Sequence, residues 1–236
     1  MFNYNYRLLL IRLKIHRVIN PFNRLILKIG NFTRLSLWVH QHQKLLYNDY
    51  YSRRGDYNNR YDLYKYILDN EINDLPINYL EFGVADGETI NWWANSLNNK
   101  NTLFYGFDTF EGLPEDWGIY KKGSFSNDGS IPLITDERVK FYKGLFQHTL
   151  SNFLLELNND QKNVILLDAD LYSSTLFVLA TIAPYLKKND IIIFDEFLTP
   201  QHEFLAYYNF RESFSHIKLD VFAAANNYSF VAFKIL

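Results

Sequence analysis

The sequence of 236 residues contains no cysteine, and this absence excludes several kinds of chemistry. A disulfide framework, a thiol nucleophile and a zinc–thiolate site all require cysteine, so none of them is available. The absence is compatible with a reducing compartment, and we expect a cytoplasmic protein.

The N-terminal part of the chain also lacks a long hydrophobic run. Its longest apolar run, residues 8–11, is far shorter than the roughly 20 residues that cross a bilayer. We expect no secretory signal, because Arg12, Lys14 and Arg17 interrupt the apolar region and no small-residue cleavage site follows.

What the chain does contain is a large apolar fraction and a strong asymmetry of charge. Hydrophobic residues make up 48% of the sequence and aromatic residues 18%, which excludes disorder for most of its length. Residues 1–60 carry eleven Lys or Arg against Asp49 and Asp56, whereas the remainder carries thirteen bases against twenty-four acids. We therefore expect the two parts of the chain to bind different partners.

We predict that residues 1–59 form a basic N-terminal extension, ending at the turn sequence RRGDYNN (53–59). Apolar residues recur at helix-like spacing in RLLLIRLKIHRVI (7–19), although Ile11, Leu13 and Ile15 also alternate as in a strand. Three interpretations stay open: a helix packed on the protein's own core, a contact in a homo-oligomer, and an amphipathic segment on anionic lipid at the inner face of a membrane. The first two are favoured. Because the basic residues are scattered and no recognition motif accompanies them, we expect no nucleic-acid binding.

Residues 60–236 are predicted to form one α/β domain. Strand-like and helix-like segments alternate, which predicts a mostly parallel sheet, and the pair Asn226 and Asn227 predicts a C-terminal antiparallel hairpin. Predicted strands occupy residues 77–83, 102–108, 138–144, 164–172, 190–197, 216–223 and 228–235, and predicted helices occupy residues 61–68, 88–97, 150–157, 174–186 and 203–214.

Acidic residues end two of the predicted buried strands, VILLDADLY (164–172) and DIIIFDEF (190–197). Because the carboxyl ends of parallel strands meet at one edge of a sheet, we expect Asp168, Asp170, Asp195 and Glu196 to lie together. Oxygen ligands of this kind favour magnesium, calcium or manganese. A single acid would be explained as a helix cap, and Asp190 as a turn residue, but four acids at two equivalent strand ends favour a metal or catalytic role.

A second group of residues follows the first two predicted strands. EFGVADGET (81–89) places Gly83 and Gly87 where a strand turns into a helix, and the next strand ends in Asp108. The spacing is not GxGxxG, so it does not indicate pyrophosphate binding, but a glycine turn followed by an acid about 20 residues later is typical of an adenosine-containing cofactor. The alternative is an ordinary turn with a helix cap. The long segment from Gly106 to Asp136 is predicted to be a substrate lid.

Five motifs carry a resemblance to a known family. EFGVADGETINWWA (81–94), YGFDTFEGLPEDW (105–117), FYKGLFQHTL (141–150), LLDADLYSSTL (166–176) and IIIFDEF (191–197), in this order, resemble the macrocin O-methyltransferase family. That family includes sugar methyltransferases of macrolide and aminocoumarin biosynthesis. The resemblance covers about residues 60–210, and it implies a Rossmann-like class I methyltransferase fold and magnesium-dependent methylation of a sugar hydroxyl by S-adenosylmethionine. The acceptor would be a glycan or a small molecule.

The resemblance also implies roles for individual residues. Glu81, Gly83 and Gly87 match the motif for the methionine part of the cofactor, Asp108 matches the acid that binds the ribose, and the adjacent Thr109 joins the cofactor-binding set. Asp168, Asp195 and Glu196 fall on the metal positions, and Asp170 falls on the position of the general base.

The chain departs from the family pattern at two positions. Some family members have Asp where this chain has Glu196, whose longer side chain can shift the ion or leave Glu196 outside its ligands. His148 stands where relatives often carry an acid, and no role is assigned to it.

Two further functions stay open as alternatives. One is metal-dependent methylation of a phenol or catechol in an aromatic slot, for which Trp92, Trp93, Phe110 and Trp117 are candidates, although the two helical tryptophans fit a core better. The other is a non-catalytic binding protein with this fold.

Overall fold

The computed structural model describes residues 4–50 and 54–236, which form two compact units divided between Gln41 and His42. This division differs from the boundary expected near residue 60, because residues 42–50 and 54–59 contribute a strand and several hydrogen bonds to the second unit. Residues 1–3 and 51–53 of the predicted extension, including the first residue of the turn sequence 53–59, lie outside the described residues.

The first unit is helical over its described length. It contains α1 (Tyr4–Arg12), α2 (His16–Ile19), a 3₁₀ turn (Asn20–Phe22) that includes Pro21, and α3 (Asn23–Gln41). The helical alternative for residues 7–19 is therefore the one observed, with an interruption at Lys14, whose φ is 50°. Among the described residues, no helix is long and apolar enough to span a bilayer.

The second unit is built on one eight-stranded sheet with the order β1-β7-β8-β6-β5-β2-β3-β4. All neighbouring strands are parallel except those beside β8, which is antiparallel to β6 and β7. The predicted parallel sheet and closing hairpin are thus confirmed. The strands are β1 (Tyr47–Asn48), β2 (Ile77–Phe82), β3 (Leu103–Asp108), β4 (Val139–Lys143), β5 (Lys162–Leu167), β6 (Ile191–Phe194), β7 (Leu219–Ala225) and β8 (Phe230–Ile235).

The connecting helices follow the predicted pattern, with differences at their ends. They are α4 (Asn59–Ile67), α5 (Glu88–Ser96), α6 (Phe146–Glu156), α7 (Tyr172–Ile182) and α8 (Glu203–Ser213). The α-helical part of α7 stops at Ile182, and Pro184 lies in the 3₁₀ turn that follows, because proline cannot donate the next helical hydrogen bond. Helix α6 begins four residues before the predicted position, immediately after β4.

The three central strands are enclosed on both faces. Every residue of β2 and β6 is buried, as are the last five of β5. Continuous apolar strands of this kind require other elements to pack on each face of the sheet. A ligand can therefore reach these strands only at their ends. Large aromatic side chains supply much of that cover, including Tyr64, Tyr79 and Trp93.

The segment before α4 is held to the C-terminal hairpin by Asp49. Its carboxylate accepts the backbone N–H groups of Asn226 at 2.7 Å and of Asn227 at 3.1 Å. Both asparagines have positive φ, 50° and 56°, so they form the tight turn between β7 and β8 that their sequence predicted. Residues 42–50 and 54–59 are therefore part of the second compact unit rather than of a separate extension.

Asp190 joins the starts of β5 and β6. Its fully buried carboxylate accepts hydrogen bonds from the backbone N–H and the side-chain amide of Asn163, both at 2.9 Å, and from the backbone N–H of Lys187 at 3.0 Å. The turn role considered for Asp190 is therefore observed, and it aligns the two strands that carry the acidic motifs.

We expect Asp190→Ala to lower the free energy of unfolding by about 3 kcal/mol, because it leaves buried polar groups of Asn163 without an acceptor. Urea denaturation measures the change. Asp160→Ala is the matched control, since Asp160 is exposed in the turn before β5 and should cost less than about 0.5 kcal/mol. Equal effects of the two substitutions would contradict the structural role of Asp190.

Candidate functional site

The register of the sheet brings the predicted acids to one edge. Phe82 pairs with Leu167, and Leu167 pairs with Phe194, so three strands end at the same level. The next residues continue the ladder: the N–H of Asp168 donates to the carbonyl of Phe82 at 2.9 Å, and that of Asp195 to the carbonyl of Leu167 at 3.0 Å. The prediction that these strand ends are neighbours is confirmed.

A cavity of about 750 Å³ opens at this edge of the sheet. Most of the predicted site residues line it; Gly87 and Asp195 are not among its lining residues. The predicted residues in its wall are Glu81, Gly83, Asp108, Thr109, Asp168, Asp170 and Glu196. One connected space therefore touches both the predicted cofactor motif and the predicted catalytic acids.

The turn after β2 is shaped by glycine. Gly83 has a φ of 95°, and a Cβ at this position would lie 1.8 Å from the backbone oxygen of Asp168. Only glycine permits the exits of β2 and β5 to approach so closely. Ala85 in the same turn has a φ of 49°, which is uncommon for a residue with a side chain and typical of functional turns.

Asp108 fastens this glycine turn to the end of β3. One carboxylate oxygen, Oδ2, accepts the N–H groups of Val84 at 2.8 Å and Ala85 at 2.9 Å, and Oδ1 accepts that of Phe110 at 2.7 Å. A carboxylate offers about four acceptor positions, so a further donor can still be accommodated. The hydroxyl of Thr109 is engaged with its own turn, donating to the carbonyl of Gly112 at 3.2 Å.

Glu81 is a buried acid beneath the turn. It is 1% exposed, and its Oε2 accepts a hydrogen bond from the Tyr79 hydroxyl at 2.6 Å. Burial raises the pKa of Glu81 to about 8, although the Tyr79 hydrogen bond and the charge of Arg60 act in the opposite direction. The carboxyl group is therefore mostly protonated at neutral pH unless a cation enters the cavity.

Asp195 is enclosed by side chains that the sequence did not identify as part of the site. Its carboxylate accepts hydrogen bonds from the hydroxyls of Tyr57 at 2.7 Å and Tyr64 at 3.3 Å, and Arg60 Nη1 lies 4.0 Å away. Burial raises the pKa of Asp195, and these three neighbours partly offset the rise. No local signal marks Tyr57 or Arg60, because they lie in a different part of the sequence from the acid that they contact.

Asp168 and Asp170 lie on the cavity wall close to other acids. Burial raises the pKa of Asp168 well above its usual range, and Asp195 and Asp170 raise it further. Burial and the nearby Glu196 raise the pKa of Asp170 to about 7, and burial and Asp195 raise that of Glu196 to about 7. Asp170 adopts a φ of 58°, which turns the chain sharply between β5 and α7.

These acids do not form a metal site as they stand. Within residues 4–50 and 54–236, no group of three or more His, Asp or Glu side chains is arranged to hold an ion. Of the three predicted ligands, Asp168 and Glu196 face the cavity, whereas Asp195 is engaged by tyrosine hydroxyls.

Glu203, at the start of α8, is a further buried acid next to this group. Its side chain is fully buried, and Oε2 accepts the backbone N–H of Glu196 at 2.9 Å. Burial raises its pKa well above the usual range. The sequence predicts Glu203 only as the first residue of a helix, so it does not reveal the hydrogen bond with the backbone of Glu196.

The predicted lid is an ordered loop on the rim of the cavity. Leu113 donates its N–H to Ser124 and accepts that of Gly123, both at 2.9 Å, so the loop folds back on itself. Glu115 accepts a hydrogen bond from the Ser173 hydroxyl at 2.6 Å, which joins the loop to α7. Its aromatic side chains Trp117, Tyr120 and Phe125 line the cavity.

The other candidates for an aromatic slot lie elsewhere. Trp93 and Phe110 are buried in the core, and Trp92 packs against that core, so neither tryptophan of α5 reaches the cavity. The expectation of a core residue is confirmed for Trp93, whereas Trp92 is partly buried against the core. His148, at the start of α6, does line the cavity.

Comparison with known proteins agrees with this geometry. A family model described as a methyltransferase domain matches residues 80–197, which is half of the chain. The match begins in β2 and ends just after β6, so it contains the glycine turn and both acidic strand ends. No curated protein matches the chain significantly.

Solved structures show the same fold at low identity. The calicheamicin methyltransferase CalS11 is 21% identical with a TM-score of 0.58, covering 87% of this chain and 91% of that one. The O-methyltransferase NovP is 19% identical with a TM-score of 0.56, covering 75% of this chain and 79% of that one. An apo structure of CalS11, described as a TDP-rhamnose 3′-O-methyltransferase, is 20% identical with a TM-score of 0.53 and covers 87% and 93% of the two chains.

The buried Glu81 leads to a prediction about stability and pH. Its folded-state pKa of about 8 lies above its ordinary value of 4.5, so ionisation at neutral pH disfavours the folded state. We expect Glu81→Gln to raise the free energy of unfolding at neutral pH by about 2 kcal/mol and to reduce the loss of stability as the pH rises from about 5 to about 8.

Thermal denaturation across this pH range measures the effect. Gln can still accept the hydrogen bond from Tyr79, so the substitution removes the ionisable group without removing that contact. Glu156→Gln, at an exposed position on α6, is the control and should leave the pH profile unchanged. A profile of Glu81→Gln that matches the unmodified protein would show that Glu81 is not a destabilising buried charge.

Proposed function

This chain belongs to the methyltransferase-domain family, and from that premise we propose that it transfers the methyl group of S-adenosylmethionine to a hydroxyl of a sugar in a glycan or small glycoside. The observation that carries the proposal is the single cavity that joins the glycine turn after β2 to Asp170 after β5. A donor held at one end can therefore meet an acceptor held at the other. The sugar class is supported by the motif resemblance and by the TDP-rhamnose 3′-O-methyltransferase that shares the fold.

The cofactor end of the cavity has charges of both signs. Glu81 and Arg60 both line it, and they are suited to the ammonium and carboxylate groups of a methionine moiety. Gly83 leaves backbone groups accessible at the turn, and Asp108 has acceptor capacity for ribose hydroxyls. When bound, S-adenosylmethionine supplies an electrophilic methyl group on a sulfonium.

Asp170 is the residue we assign as general base. It lies on the cavity wall, next to the start of α7, where it can accept the proton of an acceptor hydroxyl. The acceptor oxygen forms its bond to the methyl carbon as the bond from carbon to sulfur breaks, and the hydroxyl proton passes to Asp170. Positioning of the two reactants supplies much of the acceleration in such a displacement.

The proposal includes magnesium because of the motif resemblance and the chemistry of the donors. Asp168, Asp195 and Glu196 provide carboxylate oxygens, which hard divalent cations prefer. Within the described residues these acids are not arranged as a completed site, and Tyr57 and Tyr64 occupy two of the about four acceptor positions of Asp195. An ion held by these carboxylates would lower the pKa of an acceptor hydroxyl, so its removal should reduce activity.

Methylation of a phenol is a second candidate, favoured by one observation. Trp117, Tyr120 and Phe125 form an aromatic rim of the cavity, with Trp117 stacked on Tyr120 at 5.3 Å. Flat apolar surfaces of this kind accommodate an aromatic ring as well as the apolar face of a sugar. Parallel assays with catechol and with nucleotide-linked sugars distinguish the two acceptor classes.

We expect Asp170→Asn to abolish most methyl transfer, by at least about a hundredfold, while binding of S-adenosylmethionine stays within about threefold. Asn tolerates the left-handed backbone of this position, so the turn should be kept. Transfer of a labelled methyl group and isothermal titration with the cofactor measure the two effects.

Asp128→Asn is the matched control, because Asp128 also has a positive φ, 51°, but is exposed and does not line the cavity. Retained turnover in Asp170→Asn would rule out the base assignment. Absence of cofactor binding in the unmodified chain would instead favour a non-catalytic binding protein.

For the metal, we expect chelation to abolish activity and magnesium to restore it. A direct readout is titration with manganese in the presence of S-adenosylmethionine, followed by electron paramagnetic resonance. Binding should be lost in Asp168→Asn and retained in Asp128→Asn. Full activity in chelated buffer, together with no manganese binding, would remove the metal from the proposal.

A further inference from the structure

The first compact unit exposes an unusual amount of apolar surface. Fourteen large hydrophobic side chains within residues 4–41 are exposed, compared with twelve in the much longer remainder of the described chain. They include Val18 at 73%, Phe22 at 60% and Leu25 at 57%. Scattered single residues of this type are normal on a protein surface, but such a density marks an interaction surface.

The same unit carries charge of only one sign. Residues 4–41 contain seven Arg or Lys and no Asp or Glu, and all seven cations are exposed. Six of them lie in the three helices, for example Arg12 in α1, Arg17 in α2 and Arg24 in α3, and Lys14 lies in the turn between α1 and α2. Basic and apolar side chains therefore occur together along the whole unit.

We propose that residues 4–41 form a membrane-surface unit, defined by helices α1 to α3, that binds anionic lipid. Cations attract acidic headgroups while the intervening large apolar side chains enter the boundary of the acyl region. The helices lie on the bilayer rather than cross it, because none of them is long and apolar enough to span it among the described residues.

Charge complementarity favours lipid over the other occupants. A second copy of the same unit would bring seven cations against seven more, without an acid to pair with them. Nucleic acid would neutralise the cations but would leave the large apolar side chains exposed to water. Of these three occupants, an anionic lipid surface is the one that matches both properties of the unit, and this inference does not depend on the identity of the methyl acceptor.

The test uses the full chain and vesicles of stated composition. Co-sedimentation is measured with phosphatidylcholine vesicles and with vesicles containing equal parts of phosphatidylcholine and phosphatidylglycerol. We expect binding to the anionic vesicles that weakens as salt is raised, and little binding to the neutral ones.

Two variants separate the electrostatic and apolar contributions. One replaces the exposed cations Arg12, Arg17 and Arg24 with Gln, and it should reduce the affinity for anionic vesicles by about tenfold to a hundredfold. The other replaces the exposed Val18, Phe22 and Leu25 with Ser, and a loss of at least about tenfold is expected.

Matched controls place the same changes in the second unit. Lys100, Lys140 and Lys188 are exposed cations, and Leu133, Leu155 and Leu75 are exposed apolar residues at 101%, 80% and 57%. Replacing these lysines with Gln, or these leucines with Ser, should leave vesicle binding unchanged. Circular dichroism and cofactor titration confirm that each variant is folded.

Selective, salt-sensitive binding that falls in both unit-one variants and in neither control supports the proposal. Equal binding to neutral and anionic vesicles, or no binding to either, overturns it. Self-association that is lost in the same variants, without vesicle binding, also overturns it and identifies a contact between copies instead.

Discussion

The burial of several carboxylates at one edge of the sheet is the constraint on which the rest of the site depends. Glu81, Asp195 and Glu203 are at most 1% exposed, and Asp168 lies beside them on the cavity wall. Each burial disfavours the charged form, and the proximity of the acids adds mutual repulsion. The chain must therefore surround these groups with donors, leave them protonated, or bring a cation to them.

The hydrogen-bond donors to these buried carboxylates come from parts of the sequence that are far apart. Tyr57 and Tyr64, from the segment around α4, donate to Asp195, and Tyr79 donates to Glu81. Glu203 has a different role, since it holds the backbone of Glu196 at the end of β6. The segment before α4 thus supplies, through Tyr57, one of the donors to the buried acid that follows β6.

The same edge leaves room for the reaction that we propose. Gly83 lets the exits of β2 and β5 meet, Asp108 holds the glycine turn, and the loop with Trp117 lines the same cavity as the acids. Burial that costs stability at Glu81 and Asp168 also prepares these groups for a cationic partner. The basic, apolar helices of residues 4–41 carry the opposite charge and belong to a separate compact unit.

Periodicity and turn residues, which are local properties, were sufficient to predict the parallel strands, the closing hairpin and the convergence of Asp168 and Asp195. Local patterns could not show that Tyr57, Arg60 and Glu203 join these acids, because those contacts close only when distant segments pack. They also could not place the division after Gln41 or add β1 to the sheet, since a two-residue strand has no period to detect. The sequence by itself determined which strand ends carry acidic residues; the tertiary structure decided which of these acids face the cavity and which are enclosed, because exposure depends on neighbours brought from elsewhere in the chain.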